Sequence, residues 1–263
     1  MKIIVTVKQV PDTSGKVAVN PDGTLDRASM QTIINPDDLN AVEAALKLKD
    51  ACGCKVVAVT MGPPPAEGML RELMAMGCDE SYLISGREFG GSDTYATSQI
   101  IAAGLDTIGI EDDDLVFCGR QAIDGDTAQT GPQIGEKLDC AVVTYLEKLD
   151  IDGDTAIATR DIGTGVETCR AKLPALFTVT EKFGELRPFE MRRVMKYKNA
   201  EPTILDCAAI GCEDDRCGFA GSPTSVNKIE SVVLAGGEFK EVAATDEGIG
   251  ALVTELIKDH TIG

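Results

Sequence analysis

The residues of this chain best suited to chemistry stand together in one run, Leu115-Val116-Phe117-Cys118-Gly119-Arg120-Gln121-Ala122-Ile123-Asp124-Gly125-Asp126-Thr127-Ala128-Gln129-Thr130-Gly131-Pro132. Its first part is an apolar strand after Asp112-Asp113-Asp114, and Gly119 ends that strand where the backbone must turn away from a sheet edge. A polar loop follows, and Asp126 or Thr127 is expected to cap the helix after it. The first N–H groups of such a helix lack internal partners and, with the aligned peptide dipoles, favour an anion such as phosphate. Arg120 adds a charged fork, while Gln121, Thr127 and Gln129 suit either phosphate or a sugar. Asp124 and Asp126 repel phosphate and fit capping or ribose hydroxyls better. An ordinary capped turn explains the bare pattern equally well.

Composition narrows the classes of partner. At 263 residues the chain has room for one large α/β domain with an appendage. Its net charge of −18 argues against nucleic acid or an anionic membrane, which both call for a positive surface. No stretch approaches the roughly 20 apolar residues that span a bilayer, and Met1–Val10, with Lys8 inside it, does not read as a signal peptide; a cytoplasmic protein is expected. Nine scattered cysteines fit a reducing compartment better than a disulfide framework. Cys52-x-Cys54 and the pair Cys212 and Cys217 lack a second matching pair, so no metal site is expected, and the lone His260 leaves histidine-based catalysis without its usual residue.

The elements that must position the run alternate strand and helix. Lys2–Val10 reads as a central strand, covered on both faces. Val17–Leu25 looks like a small rim hairpin about Asn20-Pro21-Asp22-Gly23. Asn35-Pro36-Asp37-Asp38 opens a helix to about Lys49, with a cap, a proline at its first position and two acids in its first turn. A strand at Lys55–Thr60, a helix at Ala66–Met76, a strand at Tyr82–Ser85, a glycine-rich loop at Gly86–Asp93 and a helix at Thr94–Thr107 lead to the central run, whose own helix should reach Leu138. This alternation predicts a Rossmann-like parallel sheet with flanking helices and a ligand beyond the strands' carboxyl ends. Ala141–Leu149, Thr155–Arg160, Glu167–Lys172 and Ala175–Thr180 read as antiparallel additions, with Asp152-Gly153 as a hairpin turn. Glu201–Thr224 has no sustained period, and Gly248–Asp259 regains helical spacing. The expected division is a nucleotide-binding α/β domain at 1–198 and a C-terminal arm and helix at 199–263.

Several stretches, in order, resemble one family. Gly119 to Gln129 matches the nucleotide loop G-[KR]-Q-A-I-D-[GD]-D-x-x-Q of electron-transfer flavoprotein beta subunits. Val5-Thr6-Val7-Lys8-Gln9-Val10-Pro11-Asp12-Thr13, Ile34-Asn35-Pro36-Asp37-Asp38-Leu39-Asn40-Ala41-Val42-Glu43, Thr60-Met61-Gly62-Pro63 and Leu70 to Asp79 resemble further blocks of that family. Asp37, where many members carry an aromatic residue, and Cys78, where alanine is common, depart from the pattern. The resemblance implies an adenine-nucleotide pocket lined by Thr6, Asn35, Pro36, Asp37, Asp38, Met61 and the loop Gly119, Arg120, Gln121, Ala122, Asp124, Gly125, Asp126, Thr127, Ala128, Gln129 and Thr130. It implies no catalytic acid or base on the chain, since a flavin would carry the electrons.

Conventional members hold AMP in this pocket as a structural filler, whereas anaerobic members hold a second FAD that takes hydride from NADH and splits its electrons. Phe89 to Ser98, with Thr94 and Thr97 at a helix start, and Ala220-Gly221-Ser222-Pro223-Thr224-Ser225-Val226 resemble the bifurcating branch. That branch implies one electron passing through the FAD of an alpha subunit to an acyl-CoA or other flavin-dependent dehydrogenase, and the other passing to ferredoxin or flavodoxin. Arg187-Pro188-Phe189-Glu190-Met191-Arg192-Arg193-Val194-Met195-Lys196-Tyr197-Lys198 resembles the recognition loop, at about 184–198, that docks on such a dehydrogenase. Met191 would be its apolar anchor, ringed by Arg187, Arg192, Arg193 and Lys196; a solvated basic loop is the plainer reading. The arm would wrap the alpha subunit. From another class, a non-redox nucleotide module of similar fold stays open; the ATP pyrophosphatases carry S-G-G-x-D-S after the first strand, where this chain has Pro11-Asp12-Thr13-Ser14-Gly15.

Overall fold

The computed structural model describes residues 1–12, 31–225 and 240–262. The hairpin expected at Val17–Leu25, the Thr13-Ser14-Gly15 positions and Val226 lie outside the described residues. In chain order the elements are β1 (Lys2–Thr6), β2 (Gln9–Pro11), β3 (Thr32–Ile34), α1 (Pro36–Cys52), β4 (Lys55–Met61), α2 (Glu67–Met76), β5 (Glu80–Ile84), α3 (Thr94–Ile108), β6 (Leu115–Gly119) and α4 (Thr130–Lys137). They continue with β7 (Ala141–Asp152), β8 (Thr155–Asp161), β9 (Val166–Lys172), β10 (Ala175–Val179), α5 (Met191–Tyr197), β11 (Thr203–Leu205) and α6 (Asp246–Lys258).

Nine strands form one sheet in the order β11-β5-β4-β1-β6-β10-β7-β8-β9, and β2 pairs with β3 in a separate antiparallel ribbon. Among the described strands those from β11 to β7 all run parallel; β8 pairs antiparallel with β7 and β9 antiparallel with β8, so β8 alone runs against the rest of the sheet. This is the α/β architecture that the strand-helix alternation predicts. The chain reaches β4 and β5 on one side of β1 and then crosses to β6 on the other. The order therefore reverses between β1 and β6, so the connections that leave the carboxyl ends of those two strands run in opposite directions, the place where open α/β sheets form a crevice.

The apolar runs are continuous because both faces of the sheet are covered. Ile3, Val5, Val56, Ala58, Leu115 and Phe117 pack into one core with α1 and α2, while Ile4, Val57, Val59, Val116 and Cys118 pack into a second core with α3. Alternate residues of each strand thus enter opposite cores. Phe117 meets Phe177 edge to face, with ring centroids 5.6 Å apart, which locks β10 beside β6.

Four local expectations are corrected. Lys2–Val10 is not one strand: it breaks at Val7-Lys8, where the backbone leaves the sheet and Asn35 N donates to Lys8 O at 2.9 Å. Ala175–Thr180 is not an antiparallel addition, because β10 inserts between β6 and β7 and pairs parallel with both; a five-residue apolar strand looks the same in either direction. The cap expected at Asp126 or Thr127 is displaced to Gln129, as detailed below. Glu201–Thr224 does contain a strand, since β11 extends the sheet from β5 through the register Ile204↔Leu83; three residues are too few to show a period.

The chain divides into two compact units, Met1–Asn227 and Lys228–Gly263. Within the second, Thr245 Oγ1 accepts from Gly248 N at 3.2 Å to open α6. In the first unit, Arg187 is held against α1: its Nε and Nη2 donate to Glu43 at 2.9 and 3.1 Å, and Nη2 also reaches Asp50 at 3.0 Å. Glu43 is buried, so its charge depends on that clamp. Arg187→Ala is expected to lower unfolding stability by about 3 kcal/mol, and the double variant Glu43→Leu/Arg187→Leu to recover most of the loss. Denaturant midpoints of the three proteins check this, and equal midpoints for wild type and Arg187→Ala would contradict it.

Candidate functional site

The site is assembled at the carboxyl edge of the sheet. Thr6, Met61 and Gly119 end β1, β4 and β6, the strands of which are in lateral register. Asn35-Pro36 opens α1 across the same edge, Thr94 opens α3, and Thr130 opens α4. The sequence-selected stretches therefore converge in space.

One carboxyl group fastens three of them. Asp38, buried in the first turn of α1, accepts from Lys8 N at 2.8 Å through Oδ2 and from Gly119 N at 2.9 Å through Oδ1. Gly119 must lack a side chain because its Cβ would stand 2.5 Å from both the Asp37 carbonyl carbon and Asp38 Oδ1. Asn35 does a parallel task for the loop: its Nδ2 donates to Gln121 O at 2.7 Å and its Oδ1 accepts from Ile123 N at 3.2 Å. Asn35 makes no side-chain cap to α1, so the role expected from its place before Pro36 is replaced by a grip on the nucleotide-type loop.

The loop acids, which would repel phosphate, are each engaged by the protein. Lys8 Nζ pairs with Asp124 at 2.7 Å, Arg120 Nε with Asp37 Oδ2 at 3.3 Å, and Gln121 Nε2 donates to Asp126 Oδ1 at 2.7 Å. Arg120 is thus partly committed to Asp37. A turn closes from Ala122 O to Asp126 N at 2.9 Å, and Asp126 and Ala128 both take positive φ, 50° and 53°. Those left-handed positions keep the chain from entering a helix at Asp126 or Thr127, so α4 begins only at Thr130. Gln129, the residue before it, supplies no side-chain cap, and its Oε1 accepts instead from Thr94 Oγ1 of α3 at 3.5 Å.

This arrangement fits a nucleotide in three respects. The first N–H groups of α4 have no side-chain cap. Two buried polar atoms beside the edge lack partners among the described residues, Gln133 Oε1 in the first turn of α4 and Thr60 Oγ1 next to Met61. A Cβ on Gly125 would meet nothing within 4 Å, so the loop crest faces open space. Thr6 is turned inward, with Oγ1 3.5 Å from Phe117 O. Thr97 lies in the first turn of α3, half-buried.

Lys8, Thr60 and Gln133 were not singled out by sequence reasoning as site residues. The motif offers no cue to Gln133; Lys8 and Thr60 had one, since both stand in blocks that resemble the family. The start of α3 is held by the distant segment 218–224. Asp93 caps Ala96 N at 3.0 Å through Oδ1, its own N donates to Ser222 Oγ at 2.9 Å, and its Oδ2 accepts from Thr224 Oγ1 at 2.7 Å. The start of α3 and the segment 218–224, far apart in the chain, are therefore one structure.

A family model described as "Electron transfer flavoprotein domain" matches residues 22–207. The chain belongs to the electron transfer flavoprotein family. Among relatives, it is 49% identical to the acryloyl-CoA reductase electron transfer subunit gamma of Anaerotignum propionicum, over the whole of both chains. It is 43% identical to subunit CarD of the caffeyl-CoA reductase-Etf complex of Acetobacterium woodii, again over both whole chains. It is 41% identical to the electron transfer flavoprotein subunit beta of Clostridium acetobutylicum over the same full coverage. It stands with the beta subunits of this flavoprotein family and is an electron-transfer subunit.

In this member of the family the basic segment 187–198 splits by geometry. Arg187 and Arg193 face inward, Arg193 donating to Ala75 O and Met74 O at 3.0 Å across the carboxyl end of α2. Met191 and Met195 are 73% and 67% exposed on α5, beside Phe189 at 52%. Arg192 is exposed, and Lys196 Nζ lies 4.7 Å from the centre of the Tyr197 ring. Basic residues thus mount the island while methionine and phenylalanine project. Among the described residues, no helix is long and apolar enough to cross a membrane.

Burial pushes the Asp38 carboxyl from 3.8 up to about 7, against the N–H donors of Lys8 and Gly119 and the Asn35 side chain, with the Asp37 charge adding to the push. A carboxyl raised on folding holds its proton more tightly in the folded state. Its contribution to stability is therefore full below the ordinary carboxylate range and declines as pH rises through the window up to about 7. Asp38→Asn should flatten that slope, by an integrated difference on the order of 4 kcal/mol. Urea midpoints measured across this window in both proteins test it, and parallel slopes would count against the assignment.

Proposed function

We propose that this subunit binds FAD across the crevice between β1 and β6 and works in a reducing cytoplasm as the bifurcating half of a heterodimer. The bound flavin would supply hydride acceptance from NADH and one-electron transfer, with one electron leaving to ferredoxin or flavodoxin and the other to the alpha-subunit FAD and a dehydrogenase. The reading rests on one observation: three strand ends and the starts of α3 and α4 meet around a loop whose acids are already paired. The α4 amides and the Gln133 side chain would receive phosphate oxygens and ribose hydroxyls, and Gly125 would let the backbone approach the dinucleotide. Asn35 and Asp38 would position the loop rather than touch the reacting atoms. The names of the relatives in the acryloyl-CoA and caffeyl-CoA reductase systems support a place beside a reductase. In the same reading the arm from about Asn199 wraps the alpha subunit, and the exposed Met191 and Met195 anchor on the dehydrogenase.

Extraction of the purified heterodimer is expected to release two FAD per pair. One flavin with AMP would replace bifurcation by conventional carriage, and absence of flavin with ATP hydrolysis would favour a non-redox module. Met191→Ala is expected to weaken electron delivery to the dehydrogenase about tenfold while leaving the extracted nucleotide unchanged. Loss of nucleotide in that variant would remove the docking role from Met191.

A further inference from the structure

Cys207, Cys212 and Cys217 follow one another at a spacing of five residues, and the fold closes the segment so that their sulfur atoms all lie within 4.8 Å of one another. Cys212 N donates to Cys207 O at 3.1 Å, and Ile210 N to Asp206 O at 3.2 Å, which curls the first two cysteines around a single turn. Cys217 is 1% exposed and joins Leu205, Ile210 and Phe89 in the second core, with Cys207 and Cys212 packed against it. Cys207 Sγ donates to Cys212 O at 3.0 Å. The structure joins Cys212 to Cys217 as a disulfide across a Cα separation of 7.1 Å, beyond the usual span of such a bridge. A disulfide uses two sulfurs, and the third converges on the same point. Tetrahedral zinc holds thiolate sulfurs about 3.8 Å apart, within the span found here.

We propose that, once the 212–217 pair is reduced, these three cysteines form a three-thiolate site for a soft divalent cation, zinc, with solvent at the fourth position. This departs from the expectation that the chain has no metal site, because Cys207 supplies the third ligand that Cys212 and Cys217 lacked in the sequence. Reaching the reduced pair takes two electrons and two protons from a dithiol that becomes a disulfide, or two electrons from a phosphine that becomes its oxide while water supplies the oxygen and the two protons; zinc then displaces the thiol protons to the buffer. Three sulfur donors, with no carboxylate in the cluster, suit zinc over magnesium or calcium, which take oxygen ligands. The site would clamp the root of the arm. Directly after Cys217, Gly218 at φ 56° runs so close to Glu88 that a Cβ would strike its carbonyl oxygen, and Ser222 and Thr224 hold Asp93. Metal at the three sulfurs would therefore fix the loop 86–94 from a distance.

The full chain, reduced with a phosphine and desalted without oxygen, is titrated with Co²⁺ and then Zn²⁺. One cobalt per chain with thiolate charge-transfer absorption, displaced by zinc, is expected. Cys207→Ser, Cys212→Ser and Cys217→Ser should each weaken zinc binding at least about tenfold, with Cys52→Ser unchanged. In the wild type, chelation should release one zinc and speed amide exchange at residues 93–96. No charge-transfer band, full-strength binding by Cys207→Ser, or a 212–217 bridge that survives the reductant with no metal taken up would each overturn the proposal. Should Cys217→Ser fail to fold, the wild-type chelation experiment decides alone, and no release of zinc refutes the site.

Discussion

The geometry of the nucleotide-type crevice depends on a single buried carboxyl, Asp38, shared between two backbone amides. Lys8 N ends the first strand's run and Gly119 N ends the sixth, and both bonds are satisfied by one side chain from the first turn of α1. The connections after β1 and β6 leave in opposite directions because the chain order reverses there, so the amides at and just beyond the strand ends need a partner from outside the ladder. Only a group with two acceptor oxygens can serve both, which an aspartate does and an asparagine does not. Burial opposes the charge that those bonds favour, and the group is left poised near neutrality. The same contact explains Gly119, since any side chain there would occupy the space of the carboxyl itself.

From that anchor the loop is built outward in ordered steps. Asn35, one residue before α1, fixes Gln121 and Ile123; Lys8, two residues after β1, fixes Asp124. The loop is thereby shaped by the first strand-to-helix connection rather than by its own sequence. Its left-handed Asp126 and Ala128 then delay α4 to Thr130 and leave that helix start without a side-chain cap. The strand-loop-helix order was readable because apolar runs and glycines punctuate it. The position of the cap was not, since Asp126 and Thr127 are good capping residues until Asn35 and Gln121 commit the loop to another path.

Other parts were legible to different degrees for similarly local reasons. The alternation of β1, β4, β5 and β6 with helices is long and periodic, and the parallel sheet follows from it. The direction of β10 is set by the insertion of a strand between β6 and β7, a long-range event that five apolar residues do not encode. Strand β11 is defined by its partner β5 alone. In the basic island, composition identified the segment, but burial decides which cations work inside. Arg187 answers the buried Glu43 and Arg193 the carbonyls that end α2, and neither demand is visible along the chain. The apolar residues that project, Phe189, Met191 and Met195, do so because those two arginines pin the segment at both ends.

On the proposed reading an acidic chain, with a net charge of −18, receives an anionic nucleotide, and the two demands oppose each other. Screening resolves part of it, because charges farther than about 8 Å apart are largely shielded at physiological ionic strength. The near field is then what counts, and around the loop it is reduced but not cancelled: Lys8 pairs with Asp124 and Arg120 with Asp37, while Asp126 receives a neutral amide donor. Opposite those acids stands the positive end of α4, where the N–H groups of Thr130 and Gly131 have no side-chain cap, Pro132 has no N–H and Gln133 N is already bonded to Gln129 O. The net charge of −18 belongs to the whole chain and sets the background for its encounters with other proteins. The basic α5 segment, standing out against that background, would then steer one class of partner without disturbing the anion site.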